Sequence, residues 1–269
     1  KIVDTPEADA PPLHGHIHFE NVGVWAADQE RWVVRNINLD VPAGTTLGIV
    51  GPTGSGKSML ISLLGRIHDP DEGQISLDEH DLRTIQLAAL RQAVVYVPQE
   101  SLLFSMPLRN NIALGKPDTP DPKIYQAIER ARLSNDLPQL PKGLDSIVGE
   151  RGATLSGGQK QRAALARALV REPKVLILDD ALASVDMKTA AEIISALQEV
   201  SSGQSGARCT CIIVSQRMIA VEHADQIVVL DDGEIIERGN HAQLMQQNGR
   251  YAAMVHRELE QAAEVMTDG

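Results

Sequence analysis

Hydrophobic positions along this chain follow two rhythms, and the order in which they alternate predicts the fold class. Alternating, β-rich stretches at residues 17–25 and 32–41 precede a short apolar run at 46–50 that leads straight into a glycine-rich loop. A helix is predicted from about residue 56 to 67, ending ahead of Asp69-Pro70 because a residue before proline resists the helical region. Residues 75–77 and 93–97 read as further strands. From Gln99 to Ser156 the rhythm is helical, with Ile124, Ala127, Ile128 and Ala131 on one face, which marks a candidate second lobe. An alanine-rich helix over 157–171 stops at Glu172-Pro173. The runs at 175–178, 209–214 and 226–230 are unbroken apolar strands of the kind buried on both faces of a parallel sheet, with a helix over 189–200 between the first two. Strands alternating with helices predict a mostly parallel α/β sheet. A final amphipathic helix over about 242–266 reads either as terminal packing or as an interaction surface.

Composition narrows the function classes. With 269 residues and 43% hydrophobic content, the chain is long enough for one substantial core in two lobes. A net charge of −11 leaves no basic field for a phosphate backbone and argues against a nucleic-acid partner. Cys209 and Cys211 are two apart in an apolar run, on one face of a strand, and read as structural thiols of a reducing compartment. No apolar run approaches the roughly 20 residues that cross a bilayer. Residues 1–14, rich in proline and carboxylates, read as a linker, and a chain beginning at Lys1 reads as a fragment.

Chemistry concentrates in three segments. Gly51-Pro52-Thr53-Gly54-Ser55-Gly56-Lys57-Ser58 fits G-x-x-x-x-G-K-[ST], with a strand before it and a helix after it, the context the P-loop motif requires. Its glycines let the backbone curl so that the amides of residues 54–58 point at phosphate oxygens, aided by the helix dipole. Lys57 would reach the β- and γ-phosphates of ATP and Ser58 would ligate Mg²⁺. Val175-Leu176-Ile177-Leu178-Asp179 sets a carboxylate at the end of a buried strand, where P-loop proteins hold their Mg²⁺. Leu155-Ser156-Gly157-Gly158-Gln159 contains an S-x-x-Q capping box opening a helix. Its outward amides either simply begin a helix or accept an anion held by another molecule, since Lys57 already serves this chain's own nucleotide.

These segments, with Gln99 after a strand, occur in the order and at about the spacing of the nucleotide-binding domains of ABC transporters, and residues 15 to 260 resemble that family. The resemblance implies a RecA-like P-loop core with a mostly parallel sheet, an antiparallel β subdomain, and a helical lobe over about 100–171 that carries the signature segment 155–159. It divides the chain into a linker over 1–14 from a transmembrane domain, an ABC domain over 15–250, and a C-terminal helix and tail over 251–269. It further implies a head-to-tail dimer in which the signature segment and the D-loop Asp186 face the partner's ATP. Gln99 is similar to the Q-loop glutamine that touches Mg²⁺. Trp25 stands where the family has an adenine-stacking tyrosine, and an aromatic face suffices for stacking, although a Trp near strand ends also serves as core. Ser146 to Gly152 resembles the X-loop of exporters, which with residues 99–109 contacts coupling helices of membrane domains. The domain is thereby expected on the cytoplasmic face of a membrane.

Two positions depart from the family pattern. The catalytic glutamate after the Walker B aspartate is Asp180, one methylene short, and ~1.5 Å of lost reach weakens a general base. The switch histidine is Gln216, which can hydrogen-bond a phosphate but cannot titrate. The pair resembles the degenerate half of a heterodimeric exporter. A homodimer using Asp180 as a slower base, or a nucleotide-sensing module without turnover, are the rival readings.

Overall fold

Successive side chains of the apolar strands point to opposite faces of one sheet, and both faces are covered. In the computed structural model of the chain, which describes residues 2–201 and 208–267, Leu176 and Leu178 join a cluster with Val95, Val97, Cys211 and Ile213 under the helices. Val175 and Ile177, one residue out of phase, join Leu47, Ile49, Ile212 and Val214 on the other side. Lys1 of the expected linker and residues 268–269 of the expected tail lie outside the described residues.

The central sheet runs in the order Glu234–Gly239, Gln226–Asp231, Thr46–Val50, Thr210–Val214, Val175–Asp179, Val94–Val97. The edge strand Glu234–Gly239 is antiparallel to its neighbour and the others are parallel, as the sequence predicts. Val214 pairs with Ile49 on one side and Asp179 on the other. The loops after these three strands therefore leave the sheet side by side at its carboxyl edge, where open α/β sheets bind ligands. A second, antiparallel sheet orders Arg31–Val41, Ile17–Ala26, Glu72–Leu77 and His80–Asp81. The helical lobe packs Leu108–Ile112 and Asp121–Arg130 against Gly157–Val170. Ile124, Ala127, Ile128 and Ala131 are buried there as one face. Burying an isoleucine is worth about 1.5–3 kcal/mol over exposing it, so this stripe fixes the lobe's inner side.

Two expectations are corrected. The helix after the P-loop is Lys57–Leu64, closed by Gly65 and by Arg66 in the left-handed region (φ 46), so it ends before the proline acts. The C-terminal helix is two helices, His241–Gln247 and Arg250–Thr267, broken where Asn248 turns left-handed (φ 51). Glu237, from the edge strand, accepts the backbone N–H groups of Arg250 and Tyr251 and restarts the helix. Tyr251 is fully buried and its hydroxyl meets His241 Nδ1 at 2.8 Å, so the first turn of this helix belongs to the core. The proline-rich N-terminal segment, expected as a linker, lies against the β subdomain. Asp4 accepts from the backbone N–H of Leu87 at 2.7 Å, Asp9 bridges to Ile85, and the Asp78 carboxylate takes the N–H groups of His14, Gly15 and His16. Cys209 and Cys211 are buried free thiols; burial pushes Cys209 up to about 12 and Cys211 higher still.

Candidate active site

The P-loop takes its shape from glycines at positions no other residue fits. Gly51 has φ 149, and a Cβ there would lie 2.0 Å from the Leu230 carbonyl. Gly56, at φ 99, would meet the Val33 carbonyl at 2.6 Å. Gly54, at φ 84, would meet nothing, because that side of the loop faces open space. Lys57 Nζ donates to the carbonyls of Gly51 (2.8 Å) and Pro52 (2.7 Å), which draws the ammonium over the loop's mouth. Burial holds that ammonium below the usual lysine range, against the pull of Asp179 and Asp180.

A cleft of about 360 Å³ opens at this point, lined by Thr53, Gly54, Gly56, Lys57, Ser58, Gln99, Asp179, Asp180 and Gln216, together with Arg31, Val33, Met59, Val214 and Ser215. The fold thus gathers residues from four separate segments that the sequence singled out. A hydroxyl, an amide oxygen and a carboxylate in one cleft are hard oxygen donors of the kind Mg²⁺ selects, and a lysine beside inward-curled backbone suits a polyphosphate. Both groups fit the residues present. Gly51, Pro52 and Ser55 form the back of the loop: Ser55 is buried and its carbonyl accepts from the Gly233 N–H at 3.1 Å.

Asp180 sits in the left-handed region (φ 49), its N–H bonded to the Val214 carbonyl at 2.8 Å and its Oδ1 accepting from Ser215 Oγ at 3.4 Å. Aspartate tolerates this backbone better than most residues, and a strained residue at a strand end is common at functional sites. Gln216 is exposed beside it. Trp25 lies outside the cleft lining; it is 42% exposed and packs edge-on against Trp32 at 5.3 Å. Tyr96 is the residue that sequence reasoning missed. Its hydroxyl donates to Asp179 Oδ2 at 2.5 Å, and burial, then that bond, push its pKa upward, so the phenol stays a donor. The signal was available: Val95 and Val97 are buried, which sends the intervening Tyr96 to the open side of a strand ending two residues before Gln99.

None of residues 155–159 lines that cleft; Gly157 lines an adjoining cavity that shares Gln99 with it. Both bonds of the segment's capping box are present: Ser156 Oγ accepts from the Gln159 N–H at 3.3 Å and Gln159 Oε1 from the Ser156 N–H at 3.0 Å. Ser156 and Gly157 are exposed while Leu155 is buried beneath them. Gly158 admits the neighbouring loop, since a Cβ there would stand 3.1 Å from the Ser184 carbonyl. That loop is tied to the same helix by the Ser184 N–H donating to Gln161 Oε1 at 2.9 Å. Asp186 is exposed and accepts from the Thr189 N–H at 2.9 Å, capping the next helix.

Residues 34–183 match the family model described as ABC transporter. The chain belongs to the ABC transporter family. As a nucleotide-binding ABC domain it is of the exporter type: it superposes on a bacterial Atm1-family ABC exporter with ATP bound at a TM-score of 0.89, with 36% identity, covering 96% of this chain and 44% of that one. It is 40% identical over 258 residues to an ATP-dependent lipid A-core flippase of Alkalilimnicola ehrlichii, covering 91% of this chain and 43% of the flippase. It is 43% identical over 244 residues to a probable multidrug resistance ABC transporter ATP-binding/permease protein of Bacillus subtilis, covering 91% of this chain and 41% of that protein. This ABC ATPase domain therefore spans less than half the length of the relatives it matches.

Proposed function

We propose that this domain binds Mg²⁺ and ATP in its own cleft, turns ATP over slowly there, and completes a faster site on a non-identical second ABC domain, so that closure of the pair on ATP powers export. The observation that carries the reading is the meeting of Asp180 and Gln216 in one cleft with an intact Lys57, Ser58 and Asp179. The groups that hold nucleotide are complete, while both groups that would prepare water are altered.

In this reading the amides of residues 54–58 and the Lys57 ammonium hold the phosphates, and Ser58, Asp179 and Gln99 hold the divalent ion. Bound there, Mg²⁺ supplies neutralisation of charge on the transferred phosphoryl group. The Asp180 carboxylate accepts a proton from the attacking water only if the cleft closes further, because its side chain is one methylene short. Gln216 donates an amide N–H to a phosphate oxygen and takes no part in proton transfer. The adenine ring stacks on Trp25. Ser156, Gly157, Gly158, Gln159 and Asp186, exposed or half-buried outside this cleft's lining, address the partner's ATP.

A groove of about 480 Å³ beside the site supports docking of transmembrane domains on this one. Leu102 and Phe104, 54% and 45% exposed, give it an apolar rim. Arg167 of the signature helix donates to the carbonyls of Leu102 and Asn111, each at 2.8 Å, so that rim and signature helix move as one. Coupling helices seated here and at residues 146–152 would place the domain on the cytoplasmic face of a membrane.

The test is phosphate release by the purified chain over a wide range of protein concentration, alongside ATP affinity. Tight ATP binding with negligible release at every concentration is the expected result. Release rising steeply with concentration would instead identify a homodimer in which Asp180 suffices as base.

A further inference from the structure

Tyr96 belongs to neither core. It stands on the strand Val94–Val97 in parallel register with Ile177, between the inward-facing Val95 and Val97, and it is 41% exposed. Tyr96 is among the residues lining the apolar groove, with Leu102, Phe104 and Leu114. Its hydroxyl reaches the last residue of the neighbouring strand, donating to Asp179 Oδ2 at 2.5 Å. A phenylalanine or leucine would serve the groove equally well; what the phenol adds is a hydrogen bond to one carboxylate.

That bond has a direct consequence for the carboxylate. An ionised aspartate offers two oxygens, and a short donor on one of them fixes the side-chain torsion and aims the other. Groups that hydrogen-bond a metal ligand from behind set its orientation, and removing them typically lowers metal affinity or activity about 10- to 100-fold. We infer that Tyr96 is a positioning residue for the cation site, its O–H holding Asp179 Oδ2 so that the remaining oxygen is presented to the divalent ion. The inference rests on the reading that Asp179 serves Mg²⁺, and it adds a residue from outside the P-loop, Q-loop and signature segments. It also places a single residue at both the proposed docking groove and the cation site.

The measurement is the ratio of affinities for Mn²⁺·ATP and for ATP in EDTA, by calorimetry, with bound Mn²⁺ followed by electron paramagnetic resonance. In the parent chain the ratio favours the Mn²⁺ complex. Tyr96→Phe is expected to lower it about tenfold while leaving the EDTA affinity within twofold, and Tyr96→Leu is expected to match Tyr96→Phe. An unchanged ratio overturns the inference. A parallel loss of both affinities overturns it too, because that pattern belongs to a disturbed P-loop. A parent chain that binds ATP but shows no preference for the Mn²⁺ complex would overturn the assignment of Asp179 itself, a failure separate from that of Tyr96.

Discussion

At the scale of single residues, steric necessity decided what could be read in advance. Gly51 and Gly56 were legible because only glycine accepts their backbone angles beside the carbonyls of Leu230 and Val33, and the motif carries that demand in its spacing. Asp180 and Gln216 were legible by comparison with a pattern, and the fold places both at the cleft. Their effect is open to a restoring experiment. The Asp180 backbone is held by its N–H to Val214, so lengthening the side chain extends the carboxylate into the cleft without moving the strand end. In a mixed dimer, Asp180→Glu with Gln216→His is expected to raise phosphate release from this chain's P-loop site about 10²-fold, the scale of a well-placed general base. Single-turnover release measured with the partner's own site inactivated provides the check, and no gain would argue against the degenerate-site reading. Tyr96 escaped notice for a different reason. Its partner Asp179 lies 83 residues away, and only the parallel register of two strands brings them together.

Elements were legible where local rules acted and obscure where distant groups intervened. The helix Gly157–Val170 announces its own start through Ser156 and Gln159, and both capping bonds form. Its anchor could not be anticipated. Arg162, one turn in, donates to both oxygens of Asp136 at 2.8 Å, and the two side chains are 11% and 8% exposed. Removing one member of a buried pair leaves an uncompensated charge, at a cost of about 3–5 kcal/mol, whereas replacing both is far milder. Arg162→Met is therefore expected to lower the thermal midpoint by roughly 10 °C. Asp136→Leu with Arg162→Met should recover most of the loss; a double variant as unstable as the single one would show that the pair does not hold the helix. The C-terminal helix illustrates the converse case. Its apolar rhythm runs unbroken through Asn248-Gly249, a turn signal that periodicity alone overrode, and its second start depends on Glu237 from a strand.

The whole molecule carries an apolar surface that sequence rhythm cannot separate from core, because an exposed apolar residue and a buried one look alike along the chain. Leu102 and Phe104 sit in a stretch whose neighbour Leu103 is 1% exposed, yet they face outward on the groove rim. The rim is rigid. Asn111, fully buried, accepts from the Phe104 N–H and donates to the Phe104 carbonyl, both at 2.9 Å, and Arg167 ties the same segment to the signature helix. Truncating two rim side chains that are about half exposed and belong to neither buried core cluster should leave the fold intact, so a variant here separates docking from nucleotide chemistry. Leu102→Ser with Phe104→Ser is expected to keep the ATP affinity of the isolated domain within twofold. The same pair in the full-length protein is expected to cut ATP hydrolysis about tenfold, since a few apolar anchors carry most of an interface's energy. Hydrolysis unchanged in the full-length protein would count against docking at this rim. A loss of ATP binding in the isolated domain would mean instead that the rim shapes the cleft through Gln99, and the motor's input would then lie inside the domain and not at its border.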